Sequence, residues 1–203
     1  MPTVFTHAIV GLGSASAFNV PLEDRKDFLL AAALAPVIPD ADALFMPWIS
    51  YEHPLGHRGL SHSLVFALLM GIACAIWLRR ARRWFPIGML GLAAFFAALT
   101  ATNGFFDAFT DGGLGIAFFA PFSNHRYFFP WRPIPVAPIG GYYLFTRWFA
   151  GVLAAEVLLL WTLAAAPVCW RWRAAGKTGK CLSLVLLATA VGAWVWRFAE
   201  KVY

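Results

Sequence analysis

The sequence predicts an all-α fold: a polytopic membrane bundle of about five to six apolar helices, with one broken helix and one interfacial segment. Of the 203 residues, 61% are hydrophobic and 13% are charged, whereas a soluble domain carries about 25% charged residues. A soluble protein of this length has no core large enough to bury so much apolar surface. Apolar stretches also recur at the roughly 20-residue length of a spanning helix. Residues 1–203 are therefore expected to form a single integral-membrane domain.

Two shorter, irregular apolar segments lie in the N-terminal part of the chain. Residues 4–20 include the run GLGSASA, whose small side chains allow helices to pack closely. Residues 28–49 are interrupted by PVIPDAD, and proline ends or kinks a helix because it lacks a backbone donor. Broken backbone at membrane depth is tolerated only where protein or a watery cavity covers it. Residues 36–42 are therefore expected to line a site.

Four longer segments approach spanning length: residues 63–78, 86–106, 142–169 and 181–198. Between the second and the third of them, the segment 107–141 is rich in Gly, Pro and aromatic residues. Phe, Tyr and Trp with scattered Arg are typical of a membrane-interface belt. We expect this segment to lie along the membrane surface and to cover part of a site, with C-terminal helices following over 142–203.

The distribution of positive charge predicts an orientation. The net charge is +6, and no soluble basic domain surrounds the positive clumps, so the predicted partner is anionic lipid and not nucleic acid. The loops 20–27, 79–83 and 170–180 hold ten Lys or Arg residues, whereas 47–62 and 107–141 hold three. The positive-inside rule places the first group in the cytoplasm and the second group, with the N-terminus and the PDAD break, on the outer, periplasm-like face.

Polar residues suited to metal binding converge on this outer face. They are His7, the D-x-D pair Asp40 and Asp42, the loop residues His57, Arg58 and His62, and the helical pair Asn103 and Asp107. Imidazole and carboxylate together suit zinc, manganese or iron. A D-x-D in non-helical backbone can offer two carboxylates to one ion or bridge two ions. Because the pair at 103 and 107 is four residues apart, its members share one helix face. The clustering predicts a metal site.

Plainer roles remain open for single members of this group. Ser61 can cap the helix that begins near His62. Arg58 can extend towards lipid head groups, and Asp107 can be an exposed loop residue. The shared position on one face favours the metal site over these separate roles.

Other ionisable or nucleophilic residues receive no role in the site. His53 and His125 share no spacing with the group and are interpreted as loop residues. Glu156 lies mid-helix within 142–169, and no spacing pairs it with the others. The cysteines are scattered and form no C-x-x-C, which favours small apolar residues over a disulfide framework or a thiolate zinc site. They are Cys74, Cys169 and Cys181.

Several motifs resemble those of a known family. They are TH at 6–7, PDAD at 39–42, HRGLSHS at 57–63, NGFFDAFTDGG at 103–113 and PFSNHRYFFPWRPI at 121–134. Over about residues 3–140 the chain is similar to the YdjM-type family of membrane-bound metal-dependent hydrolases, whose best-known member is under LexA (SOS) control. The resemblance implies a multi-pass protein of the bacterial inner membrane with a His/Asp metal site. Where the family commonly has histidine four residues before the Asp, this chain has Asn103, whose carbonyl oxygen is a weaker ligand.

The expected function is metal-dependent hydrolysis of an amphiphilic or lipid ester or phosphoester at the outer membrane face. The expected cofactor is a divalent metal ion, zinc or manganese, bound by His7, Asp40, Asp42, His62, Asp107 and Asn103. His57 is either a ligand or a general acid/base, and Arg58 holds a phosphate or carboxylate. Familiar hydrolase motifs such as HExxH and GxSxG are absent.

The alternative is a non-enzymatic metal-binding membrane protein, either a transporter or a structural factor of the envelope. A transporter places polar groups near mid-span and on both sides of the membrane. Clustering on one face favours surface chemistry instead. The sequence leaves the oligomeric state open.

Overall fold

The computed structural model describes residues 1–81, 87–139 and 146–200, and within these ranges the protein is all-helical, with no β-strand. The prediction of an all-α fold is confirmed. The α-helices are α1 (Val4–Ala15), α2 (Leu22–Leu34), α3 (Leu64–Ala81), α4 (Met89–Asp107), α5 (Arg147–Glu156), α6 (Thr162–Ala174) and α7 (Thr178–Glu200). Shorter helices are the 3₁₀ helices Ile38–Phe45 and Leu60–His62 and the π-helix Val157–Trp161.

Two helices in the described ranges are long and apolar enough to cross a membrane. They are α4 and the continuous helix Arg147–Ala174, which joins α5, the π-helix and α6. A third span results if α2 and the 3₁₀ helix Ile38–Phe45, bent by 48°, are taken together. This bend confirms the predicted break near 36–42. The count of five to six spans stays a prediction, and the start of 142–169 and part of the basic loop 79–83 lie outside the described residues.

Small residues bring α1 into direct contact with its neighbours. A Cβ atom on Gly11 would lie 1.9 Å from the Ala32 carbonyl oxygen of α2, and one on Gly13 would lie 2.1 Å from the Ala164 carbonyl oxygen of α6. Only glycine permits approaches this close. The close packing predicted from GLGSASA is therefore confirmed, and it places α1 between α2 and α6.

After α4 the chain runs without helix or strand through residues 108–139, held by isolated β-bridges that pair Thr110 with Ile134 and Ile116 with Tyr127. Its backbone also contacts the histidine-rich loop, since the Ala117 amide donates to the Arg58 carbonyl at 3.1 Å. The described part of 107–141 therefore covers the loop that carries the predicted site. Its place along the membrane surface stays a prediction.

The cysteine prediction is wrong for one pair. Cys169 near the end of α6 and Cys181 near the start of α7 form a disulfide, with Cα atoms 4.8 Å apart. The tight turn between the two helices brings them together, and no short-range motif such as C-x-x-C signals such a pairing. Cys74 is a free, half-buried cysteine in α3.

Candidate metal centre

The predicted site residues meet in one buried cluster. They come from α1, the 3₁₀ helix Ile38–Phe45, the loop that leads to α3, and the C-terminal turns of α4. The exposed fraction of the residue is 0% for His7, Arg58, Asn103 and Asp107, 1% for His57, 4% for His62 and 5% for Asp40. The Asp42 side chain is 9% exposed. The convergence that the sequence predicted is present, and it is almost entirely sealed from solvent.

Four of these residues, His7, Asp40, His62 and Asp107, form what we call the unpaired cluster. His7 Nε2 lies 3.8 Å from Asp40 Oδ2 and 3.7 Å from Asp107 Oδ1. His62 Nε2 lies 3.3 Å from Asp40 Oδ1 and 3.7 Å from Asp107 Oδ2. Among the described residues, His7 Nε2, His62 Nε2, Asp107 Oδ1 and both Asp40 oxygens have no hydrogen-bond partner. Buried polar atoms are nearly always hydrogen-bonded, so five unpaired ones in one place indicate a site for a ligand that they share.

The geometry of the unpaired cluster fits a divalent cation. Two ligand atoms about 2.1 Å from one tetrahedral ion lie roughly 3.4 Å apart, and the contacts above span 3.3–3.8 Å. Ligand atoms of Asp40, His62 and Asp107 all lie within 4.8 Å of one another. Imidazole with carboxylate is a donor set for zinc, manganese or iron. Asp40, His62 and Asp107 therefore have both the spacing and the chemistry to bind a metal ion, and His7 Nε2 lies beside the same two carboxylates.

The remaining D-x-D carboxylate is arranged differently. Asp42 Oδ1 lies 2.6 Å from His57 Nδ1 in what we call the Asp42–His57 pair. Asp42 Oδ2 accepts from the Arg58 amide at 3.2 Å and from the Ser61 hydroxyl, and it lies 3.2 Å from His62 Nδ1. Asp42, His57 and His62 also bring their ligand atoms within 4.8 Å of one another. Because the Asp42 oxygens are already paired, this geometry favours orientation of His62 over direct metal binding.

His62 belongs to both groups through different ring nitrogens. Burial by itself lowers the pKa of His62, but the adjacent carboxylates of Asp40 and Asp42 outweigh it and raise that pKa from 6.5 to about 9. A metal ion on Nε2 must replace any proton bound there, because a histidine ligand binds through a neutral nitrogen.

Arg58 is held inside the protein and not at its surface. It has a positive φ of 63°. Its Nε donates to Asp107 Oδ2 at 3.0 Å, one Nη to Thr110 Oγ1 at 3.0 Å and the other to the Gly112 carbonyl at 2.7 Å. A Cβ atom on Gly113, where φ is +91°, would lie 2.4 Å from this guanidinium. Neither extension to head groups nor binding of a substrate anion fits these contacts. They make Arg58 the partner that fixes the Asp107 carboxylate.

Asn103 occupies the helix turn before Asp107 and is fully buried. Its Nδ2 donates to the Pro36 carbonyl at 3.0 Å, at the break between α2 and the 3₁₀ helix. Its Oδ1 has no partner among the described residues. Asn103 therefore ties α4 to the broken backbone and keeps one oxygen free to accept or to coordinate.

The structure corrects the role predicted for Ser61 and confirms the one predicted for His53 and His125. Ser61 does not cap α3, because its hydroxyl contacts Asp42 and His62 Nδ1, whereas Ser63 caps the helix by accepting from the Phe66 amide at 3.1 Å. The histidines predicted as loop residues are confirmed as such, since His53 and His125 are exposed and lie outside the cluster.

Sequence reasoning missed two supporting residues. Arg126 donates to the His57 carbonyl at 3.0 Å and to the Tyr51 carbonyl at 2.8 Å, which ties the segment 108–139 to the site loop. Glu156 is buried and accepts from Thr3, although they are 153 positions apart. The only signal for Arg126 was the aromatic-rich motif at 121–134, and the signal for Glu156 was a carboxyl group inside an apolar helix.

Comparison with known proteins places the chain among inner membrane proteins. The family model described as YdjM inner membrane protein matches residues 1–178. Inner membrane protein YbcI of Escherichia coli (strain K12) is 35% identical over 166 residues, which cover 79% of this chain and 91% of that protein. No solved structure matches the chain. Both descriptions state a location in the inner membrane, and neither names a reaction.

Proposed function

The chain belongs to the YdjM family of inner membrane proteins, and from that premise we propose that it is a metal-dependent hydrolase acting on an ester or phosphoester of an amphiphilic or lipid substrate. The observation that carries the proposal is the unpaired cluster. His7, Asp40, His62 and Asp107 would hold the ion, with Asn103 Oδ1 as a further candidate ligand. Two imidazoles and two carboxylates suit zinc or manganese. When bound, such an ion supplies a Lewis acid that activates water and polarises the scissile bond.

The Asp42–His57 pair would carry the proton transfer. The Asp42 carboxylate, 2.6 Å from Nδ1, orients the His57 ring and leaves Nε2 for exchange with the reacting groups. The His57 and His62 ring centroids are 5.4 Å apart and perpendicular, so the pair borders the ligand sphere. Arg58 and Asp42 then act as positioning residues, one for Asp107 and the other for both histidines.

The surface next to the site supports the proposed substrate class. Asp42 has the most exposed side chain among the site carboxylates. Leu44 and Phe45 of the same helix and Trp48 just after it are 72%, 53% and 79% exposed. Exposed large apolar side chains mark a surface that meets lipid or a partner. A substrate with its scissile group at the membrane surface suits this edge.

The proposed site faces the periplasm. Arg171, in the basic loop 170–180, donates to the Ser16 carbonyl at 2.9 Å and contacts Asn19 Oδ1 at 2.5 Å. The basic loop 170–180 therefore lies next to the start of the basic loop 20–27, at the end of α1 away from His7 and roughly 13 Å from it along the helix axis. A topology reporter fused after Lys177 should read cytoplasmic. The Cys169–Cys181 disulfide flanks this turn, and disulfides are rare in the cytoplasm, so this pair favours the opposite orientation. A periplasmic reading would establish that orientation and place the site in the cytoplasm.

A second candidate is a non-enzymatic metal-binding membrane protein, and the burial of the cluster favours it, because catalytic zinc sites keep an open position. Zinc- or manganese-loaded protein in detergent should hydrolyse members of a panel of phospholipids and soluble esters and phosphoesters. Asp40→Ala should abolish that activity with helix content unchanged, and His53→Ala, an exposed histidine outside the cluster, should leave it intact. Metal-loaded protein that is inert on the whole panel would establish the second candidate instead.

A further inference from the structure

A buried carboxyl group stands apart from the proposed metal ligands. Glu156 is 0% exposed and lies inside the spanning helix Arg147–Ala174, where an ionisable side chain is costly unless it is paired. It accepts from the Thr3 amide at 2.6 Å, from the Thr3 hydroxyl at 2.6 Å and from the Thr6 hydroxyl at 2.5 Å. These three hydrogen bonds pair the buried carboxyl group. Both carboxyl oxygens are thus committed to the first turn of α1.

The backbone around Glu156 is specialised for this contact. The π-helix Val157–Trp161 begins directly after it, and Trp161 Nε1 donates to Thr6 Oγ1 at 2.7 Å. In a regular α-helix, residues five apart point about 140° away from each other, and the wider π turn reduces that angle. Glu156 and Trp161 can therefore both reach Thr6. Short π-helices of this kind frequently occur at functional sites.

The first turn of α1 leads directly to the unpaired cluster. His7 follows Thr6, and neither of its ring nitrogens has a hydrogen-bond partner among the described residues. Metal-binding histidines normally have a partner on their second nitrogen that fixes the ring. His62 has one, because its Nδ1 lies 3.2 Å from Asp42, but His7 does not. Only its backbone and packing can place the His7 ring.

We infer that Glu156 is a positioning residue of the metal centre. By binding Thr3 and Thr6 it fixes the position of α1 along its axis and its rotation about that axis, and so places His7 Nε2 between Asp40 and Asp107. The inference rests on the proposed metal-dependent function. Glu156 is not itself a ligand, because its oxygens are already committed to three donors. Trp161 supports the same arrangement by donating to the Thr6 hydroxyl.

A double-mutant cycle on metal affinity tests the inference. Glu156→Ala should weaken Zn²⁺ and Mn²⁺ binding by about 10- to 100-fold, as loss of an orienting partner does. In a His7→Ala background the same change should alter the affinity by less than about twofold, because its route to the metal is gone. Glu156→Gln should recover most of the affinity, since the amide can accept from Thr3 and donate to Thr6 Oγ1. An equal loss in both backgrounds, or no loss from Glu156→Ala, would overturn the inference.

A readout in metal-free protein separates this inference from the proposed function. Diethyl pyrocarbonate should modify His7 faster in Glu156→Ala than in wild type, with Glu156→Gln and Trp161→Phe in between. The exposed His53 serves as an internal control, because its rate should be the same in every variant. Unchanged modification of His7 contradicts the positioning role whether or not metal binds. Wild-type protein that binds neither Zn²⁺ nor Mn²⁺ would instead count against the metal-dependent function.

Discussion

Asp40 and Asp42 are two positions apart in one short helix, yet they belong to regions of opposite character. Both Asp40 oxygens are buried without a hydrogen-bond partner among the described residues, together with atoms of His7, His62 and Asp107. Asp42 has its oxygens bound to His57, Ser61 and the Arg58 amide. The unpaired cluster presents buried ligand atoms to a cation, whereas the Asp42–His57 pair is held by its own hydrogen bonds. The difference separates residues that would hold the metal from residues that would act beside it.

The largest expected effect comes from removing a carboxylate of the unpaired cluster. Asp40→Asn should abolish tight Zn²⁺ binding, because the amide lacks the charge that compensates a buried cation. Thermal unfolding in detergent provides the measurement. A ligand at 100 times its Kd stabilises the folded state by about 2.7 kcal/mol, so added Zn²⁺ should raise the melting temperature of wild type but not that of Asp40→Asn. An equal zinc-induced rise in both proteins would remove Asp40 from the proposed ligands.

The next effect separates catalysis from metal binding. His57→Ala should retain metal while the hydrolysis rate falls by about 10²- to 10⁴-fold, the usual contribution of a general acid/base. The ratio of metal to protein and the hydrolysis rate should be measured on the same preparation. His125→Ala is the matched control, because that histidine is exposed and contacts Ser123 and Tyr127, which are not part of the cluster. Loss of metal together with activity in His57→Ala would place His57 among the ligands.

The sequence predicted the features that depend on neighbouring residues, but not the contacts between residues far apart in the chain. Local patterns located the helix break, because proline acts on the adjacent backbone, and they grouped the D-x-D with the histidine loop. They did not predict which carboxylate is paired. The Arg58–Asp107 contact joins residues 49 positions apart, and the Glu156–Thr3 contact joins residues 153 apart. Such contacts form only when the helices pack against one another, so amino-acid composition and the spacing of residues along the chain do not predict them.

A smaller effect is expected within the Asp42–His57 pair itself. Asp42→Asn should weaken Zn²⁺ binding by about 10- to 100-fold without abolishing it, because the ring of His62 loses its orienting carboxylate but keeps Nε2. A zinc titration followed by thermal shift should display the same rise in melting temperature as wild type, reached at higher zinc concentration. Complete loss of the rise, as in Asp40→Asn, would mean that the two aspartates have the same role and that the contrast between them fails.

The smallest effect concerns Asn103, which lies four residues before Asp107 on the same helix. Asn103→His should raise Zn²⁺ affinity by roughly tenfold or less, because imidazole is a better zinc ligand than an amide oxygen. The gain is limited because the asparagine hydrogen bond to the Pro36 carbonyl is disturbed, and such a bond contributes about 0.5–1.5 kcal/mol. Asn103→Ala is the companion measurement. If it leaves zinc affinity unchanged and lowers only the melting temperature of the metal-free protein, Asn103 joins the residues that hold the broken backbone, and the unpaired cluster ends at its four members.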